Sequence, residues 1–462
     1  MESEEESRYW EVHQELARRL DFAYTLMKMH QCDVDLLPGW TGFNMLLQGS
    51  NIPPLSKIRY LPIIDGSPSE YSTLLGDFHT TMSFLGAIGV LFRDAGLQDV
   101  LVESDIIGQG SVDGVMKGKR YNRSMHCHKV MSEVLQRLRF EAFLDCLDDE
   151  DSDQVVAVAT GMLNNFQTDF FHEEINGESF LDIKETYQKF IEEESKENPT
   201  FAFWSSYLEI IQTLLCFVRA IREGDWDLHL SAMRSMLPWF FATDRVNYSR
   251  YGTAYWLEMT TLDDTHPGVI NITLNRGAMQ CWILTQSERS AISRECMKMA
   301  GADPCNSKRK DLDETQKAHH EKEVENVKTT LQNMVNPFEP GRTELVHLTS
   351  GLVATENVST DPLKANHIGE ERLESFITDR LFVPEPDIFA TIPKVKLKTF
   401  SSMTKKVKVS SKSGADATLK SNRNLFARML LLAQSREIDM KEVLSFCLGP
   451  FPLSLLTEMG LY

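Results

Sequence analysis

The chain has 462 residues, of which 42% are hydrophobic and 25% are charged, so it is long and apolar enough to bury a sizeable core. Its formal net charge of −19 repels phosphate overall, which excludes a general nucleic-acid coat protein. The N-terminal sequence MESEEES lacks the features of a secretory signal, and the apolar runs Phe201–Ile221 and Leu425–Ala433 are interrupted by polar residues or too short to cross a bilayer. We therefore expect a cytoplasmic or nuclear protein without a membrane partner.

Hydrophobic spacing predicts a predominantly α fold with minor β structure, in which a multi-helix core carries a short edge sheet and a flexible basic linker near the C-terminus. The two strand candidates are Ile58–Ile64 and Val269–Leu274. The predicted helices are Arg8–His30, Thr80–Asp94, Leu97–Ile107, Tyr121–Leu147, Pro199–Glu223, Trp226–Leu237, Val246–Met259, Gly277–Ala300, Asp311–Met334 and Asn422–Ser435.

The most strongly apolar of these helices is Pro199–Glu223, which repeats apolar residues at i, i+3 and i+4 and is typical of a central core helix. Asn198 is suited to cap its N-terminus. Small residues at Gly86 and Gly89 would let another backbone approach the helix that contains them. Pro238 is expected to end the helix that begins at Trp226.

Composition divides the chain into five segments. These are an N-terminal helix and loop (1–54), a helical core (55–300), a charged and proline-punctuated region (301–393), a basic linker (394–421) and a C-terminal helix with a tail (422–462).

The most unusual segment is Lys394–Lys420, which has a formal charge of +7 because it holds eight lysines and one acid, Asp416. Flexible lysines bind phosphate backbones by releasing counterions, without sequence choice. The alternative is a solvated linker that contacts the acidic remainder of the chain. The candidate nucleic-acid-binding residues are Lys394, Lys396, Lys398, Lys405, Lys406, Lys408, Lys412 and Lys420.

Four residues are candidates for metal-dependent catalysis: Asp65, Asp77, His79 and Glu258. Asp77 and His79 begin a helix, and Glu258 ends one shortly before two further acids, so each offers a Mg²⁺ ligand or an acid–base group. Helix capping and turn chemistry explain the same residues without a site. No P-loop, GxSxG or HExxH motif is present in the sequence.

Two other clusters have simpler explanations. His126 and His128 point about 200° apart on a helix, so one ion cannot take both. The row of Tyr248, Tyr251, Tyr255 and Trp256 indicates either core packing or an exposed aromatic groove.

Several long phrases resemble a family of mobile-element-like, transposon-derived proteins that occur in many copies in animal genomes. The phrases are FHTTMSFLGAIG, GSVDGVMKGKRYNR, REGDWDLHL, NYSRYGTAYW, LKTFSSMTKK and NRNLFARMLLLAQSREIDMKEVLS. The resemblance spans about Leu61 to Pro452 and implies a lineage more than an activity. Relative to longer members, this chain is shortened between Thr73 and Gly76 and next to Pro267, where those members carry acidic residues.

Two carboxylates that converge on Mg²⁺ are the minimum for two-metal phosphoryl transfer, so the shortened segments favour a protein without catalysis. We expect a transposon-derived protein that binds nucleic acid or protein partners non-specifically and needs no cofactor. The alternatives are a Mg²⁺-dependent nuclease or transposase-type enzyme and a helical interaction scaffold. The sequence identifies no small-molecule substrate.

Overall fold

The computed structural model describes residues 4–32, 35–47, 77–223, 225–261, 312–383, 387–403, 405–410 and 416–421, together with isolated positions between 433 and 461. Within them the chain is predominantly helical, as the sequence predicts. The helices, labelled in chain order, are α1 (Glu4–His30), α2 (Trp40–Leu47), α3 (Asp77–Phe92), α4 (Leu97–Glu103), α5 (Val112–Met116), α6 (Tyr121–Leu144), α7 (Asp149–Asn165), α8 (Phe170–Glu174), α9 (Glu178–Glu197), α10 (Pro199–Glu223), α11 (Trp226–Ala242), α12 (Val246–Thr260), α13 (Glu314–Asn333), α14 (Glu356–Leu363) and α15 (Ala365–Phe376).

Helix α10 lies at the centre and packs against α3, α6, α9 and α11. Its start is fixed as predicted, because the Asn198 side chain accepts a hydrogen bond from the Phe201 amide at 3.0 Å. Trp204 and Tyr207 are fully buried on it. By length and composition α10 could cross a membrane, but 72% of its most apolar window is buried inside the molecule, as in the core helices of folded proteins.

The short edge sheet is not supported. Both strand candidates, Ile58–Ile64 and Val269–Leu274, lie outside the described residues, as do the predicted helix Gly277–Ala300 and most of Asn422–Ser435. The strands that are described lie near the C-terminus instead. They are β1 (Lys405–Ser410) paired antiparallel with β2 (Asp416–Ser421), and β3 (Leu456–Thr457) paired with β4 (Gly460–Leu461).

The prediction that Pro238 ends its helix is wrong, because α11 continues through Pro238 to Ala242. A proline inside a helix costs about 3 kcal/mol. Here α11 packs against α10, α12 and α15, and the burial of its apolar residues outweighs that local cost. Tertiary packing has overridden a local signal.

Glycine permits the close approach predicted for α3. A Cβ atom added at Gly89 would lie 1.9 Å from the Met116 carbonyl oxygen, which belongs to α5. The backbones of α3 and α5 therefore touch at a position that no other residue type can occupy without displacement.

A buried network of charges joins three helices that are distant in sequence. Arg137 of α6 donates to Glu133 at 2.7 Å and to Glu321 of α13 at 2.5 and 2.9 Å. Lys28 of α1 donates to Glu321 at 3.2 Å, and its own side chain is 1% exposed. The Tyr24 hydroxyl donates to Glu133 at 2.6 Å. Burial alone would raise the pKa of the Glu321 carboxyl, but Arg137 and Lys28 outweigh burial and lower that pKa to about 2.

Replacing Gly89 by alanine should lower the free energy of unfolding by about 2 kcal/mol or more, because the new methyl group meets a backbone carbonyl that cannot move aside. The matched control is Gly110→Ala, where no atom lies within 4 Å of an added Cβ. Urea unfolding of both variants measures the difference. Equal stability of the two would show that α3 and α5 do not pack as described.

Glu321→Gln should destabilise the protein at neutral pH by about 3 kcal/mol, the value of a pKa that falls from 4.5 to about 2 on folding. A carboxyl with a depressed folded pKa contributes stability above its unfolded pKa and loses it as the pH falls. The difference between wild type and variant should therefore shrink between pH 4.5 and pH 2. Unfolding curves across this range test it, with the exposed Glu325→Gln on the same helix as control. A constant difference would contradict the linkage.

Candidate functional site

Residues 387–403, here called the strap, lie over the helical body, begin with a turn at 388–390, end in the 3-10 helix Phe400–Met403 and contain the first three candidate lysines. Arginine side chains donate hydrogen bonds to backbone carbonyl oxygens in the first half of the strap. Arg380 donates to Ala390 O at 2.7 Å and to Thr391 O at 3.0 Å, and Arg250 donates to Ala390 O at 3.1 Å.

The second half of the strap is held through its amides. Asp244 accepts from the Val395 amide at 2.7 Å, and Asp361 accepts from the Lys398 amide at 2.8 Å. Phe400 then anchors the strap in the core with 2% exposure. This part of the predicted flexible linker is therefore fixed, because its own main chain is bonded to the body.

The strap exposes its lysines. Lys394, Lys396 and Lys398 are all exposed and alternate with half-buried Val395 and Leu397. Lys396 has a φ of 54°, in the left-handed region, so the backbone is not a regular strand there. The exposure of the three lysines therefore follows from how the main chain is bonded to the body.

The basic segment continues into a hairpin. Strands β1 and β2 pair so that Lys406 stands opposite Lys420, Lys405 opposite Ser421 and Lys408 opposite Thr418. Lys412 lies outside the described residues. The pairing of the two strands thus places Lys406 directly opposite Lys420.

The candidate catalytic residues fall in different surroundings. Asp65, and the acids that follow Glu258, lie outside the described residues. Asp77 and His79 both lie in the first turn of α3, but Asp77 is 2% exposed while His79 is exposed. Positions two apart on a helix face different directions, so these two side chains do not share a face. Glu258 is half-buried on the last turn of α12.

Asp77 has a different imidazole beside it. His229 of α11 lies with Nε2 3.9 Å from the Asp77 carboxylate and 3.3 Å from the Tyr255 hydroxyl of α12. His229 is 1% exposed and its ring stacks on Trp226. Burial lowers the pKa of His229 to about 4, so the ring is neutral at physiological pH. Tyr255 and the adjacent Trp256 are buried, which assigns this part of the aromatic row to the core.

A second imidazole lies between two carboxylates. The His13 Nδ1 atom is 2.9 Å from Asp225, and its Nε2 atom is 3.8 Å from Asp227. Ligand atoms of these three residues lie within 4.8 Å of one another, which is close enough to consider a metal. Each ring nitrogen faces a different carboxylate, however, and Asp225 also caps α11 through the Leu228 amide. The arrangement is better suited to an ion pair than to an ion with three ligands.

The feature that sequence reasoning missed is a polar cleft between α1 and α10, which also has walls from α6, α9, α11 and α15 and a volume of about 760 Å³. Helix α10 lines it with Glu209, Gln212, Thr213 and Cys216, and α1 lines it with Gln14, Arg18, Asp21 and Thr25. Both sets recur at helical spacing, so each is one stripe of its helix. The signal in the sequence is the row of polar residues that interrupts the most apolar helix of the chain.

The ionisable side chains around the cleft are mostly paired. Lys184 donates to Glu15 at 2.8 Å, and Arg234 pairs with Glu370. Arg18 and Glu209, by contrast, form no ion pair with any described residue. Glu209 is solvent-exposed where it lines the cleft, but the protein around it displaces part of its water and so raises the pKa of its carboxyl, although Arg139 and Arg18 oppose the rise.

The buried His229 should make stability depend on pH. A histidine whose folded pKa is depressed to about 4 contributes stability above its unfolded pKa near 6.5 and loses it as the pH falls towards 4. His229→Phe should flatten this part of the profile, as measured by denaturant unfolding between pH 7 and pH 4.5. The exposed His79→Gln should leave the slope unchanged. An unaltered slope in His229→Phe would show that this ring titrates normally.

The sequence profile of a domain of unknown function, DUF8702, matches residues 73–277 and 264–447. No curated protein and no solved structure matches the chain. The two matched stretches include α3 to α12 and α13 to the strap, and thus most of the helical body described above. The chain therefore belongs to the DUF8702 family.

Proposed function

We propose that this chain is a transposon-derived protein that binds nucleic acid non-specifically through the segment Lys394–Lys420. The proposal is supported chiefly by the strap, where three exposed lysines stand at every second position of a main chain that is bonded to the body. Because the main chain is already ordered, less conformational freedom is lost when these lysines contact phosphates.

Charge distribution supports the same function. The segment has a formal charge of +7 within a chain of −19, so the remainder amounts to −26. The acidic remainder repels a polyanion from other surfaces, and contact is thereby restricted to the basic segment. Binding by lysines and phosphates alone gives affinity without sequence preference.

Replacing Lys394, Lys396 and Lys398 together by glutamine should weaken binding of a fluorescent double-stranded DNA at low salt by at least tenfold. Each phosphate contact contributes about 0.9 to the slope of log K against log salt concentration, so the slope should fall by up to about 3. Fluorescence anisotropy over a salt series measures both quantities. Wild-type binding that is absent at low salt, or a variant with an unchanged slope, would reject the proposal.

The matched control removes three exposed lysines elsewhere, Lys189, Lys196 and Lys322. It changes the net charge by the same amount but leaves the strap intact. It should therefore bind DNA nearly as wild type does. Equal losses in both triple variants would indicate that total charge, rather than the basic segment, controls binding.

A further inference from the structure

The cleft between α1 and α10 departs from the way core helices normally meet. Helix α10 is apolar around most of its circumference, and its other neighbours bury apolar side chains against it. On the side that lines the cleft, α10 instead has Glu209, Gln212 and Thr213. The residues of α1 that line the cleft are also mostly polar. A pair of helices gains most stability when both stripes at the contact are apolar. Two polar stripes separated by an open space do not gain the stability of apolar burial, and such local losses of stability are common at functional sites.

The cleft has the size and chemistry of a small-molecule site. Its volume of about 760 Å³ is within the usual range for ligand pockets. The lining includes the amides of Gln136 and Gln212, which offer both donors and acceptors. Three positions along α6 from Gln136, the Arg139 Nε atom donates to the Tyr187 hydroxyl at 3.0 Å, which orients its guanidinium.

The charges left without an ion pair are of both signs. Arg18 supplies a cation, and Arg139 donates to the neutral Tyr187 hydroxyl without forming an ion pair with a described carboxylate. Glu209 supplies an anionic group close enough for both arginines to act on it. A ligand with a single charge would contact either the two arginines or Glu209, and the other group would face water or a like charge. A ligand with both a carboxylate and an ammonium group can contact the arginines with the first and Glu209 with the second.

We propose that the cleft binds a small zwitterion of the size of a short peptide, with its carboxylate towards Arg18 and Arg139 and its ammonium group towards Glu209. The flanking amides and hydroxyls of Gln136, Gln212 and Thr213 supply hydrogen bonds to the body of the ligand. This function is independent of nucleic-acid binding, because the strap contributes no residue to the cleft lining.

The test uses the full chain and three matched probes in isothermal titration calorimetry. Triglycine carries both charges, N-acetyltriglycine lacks the ammonium group, and triglycinamide lacks the carboxylate. Triglycine should bind, and each blocked probe should bind at least about tenfold more weakly, since each forfeits one charge-assisted contact. No heat with triglycine, or equal binding of all three, would mean a hydrated cavity only and would overturn the proposal.

Two variants test which charged group of the ligand each side chain binds. Glu209→Gln should bind triglycine only as tightly as the wild-type protein binds N-acetyltriglycine. Arg18→Gln should bind triglycine only as tightly as the wild-type protein binds triglycinamide. The exposed Glu193→Gln on α9, outside the cleft lining, is the control and should bind as wild type does. Arg18 is exposed, so its replacement keeps the test available if Glu209→Gln fails to fold. Variants that fold, by circular dichroism, and bind triglycine unchanged would overturn the proposal.

A pH series adds a readout that a purely structural role of Glu209 would not change. Since the pKa of Glu209 is raised, its carboxyl ionises at a higher pH than an ordinary glutamate. Triglycine affinity should therefore increase as the pH rises from 4 to 7 in wild type. The same increase in Glu209→Gln would contradict the assignment of the ammonium group to Glu209.

Discussion

The burial of α10 is the constraint on which the helical body depends. A helix of 25 residues that is apolar on so much of its surface is stable in water only when other helices cover it. Helices α3, α6, α9 and α11 do so, and each is thereby fixed in orientation relative to the others. The row of polar residues on α10 is the exception, and the cleft lies where that row is left uncovered.

Buried ion pairs set the position of α1, which forms the other wall of the cleft. Arg219 of α10 donates to the carbonyl of Ala17 at 3.0 Å and to Asp21 at 3.2 Å. Lys28, further along α1, joins the network of Glu133 and Glu321. Breaking a buried pair is costly because it leaves an uncompensated charge. These contacts therefore hold α1 in register along the body while the space between its polar stripe and α10 remains open.

The basic strap and the polar cleft separate two kinds of recognition within one chain. The strap exposes cations on a fixed main chain, which suits an extended polyanion whose charges repeat. The cleft is lined by charges of both signs, which suits a compact ligand that carries both. The His229 and His13 clusters serve differently: the first holds a neutral ring inside the core, and the second links α1 to the start of α11.

Local sequence determined many of the helices and where several of them begin, because capping and the i, i+3, i+4 spacing act within a few residues, although α7 and α9 were not among the predicted helices. Asn198 and Asp225 cap their helices as their positions indicate. Long-range packing decided the rest. Arg219 and Asp21 are 198 positions apart, so no local pattern could pair them, and neither could it show that two polar stripes face each other. Pro238 lies inside a helix and Lys394–Lys398 lie fixed on the body for the same reason: contacts with distant residues outweigh the local preference of the chain.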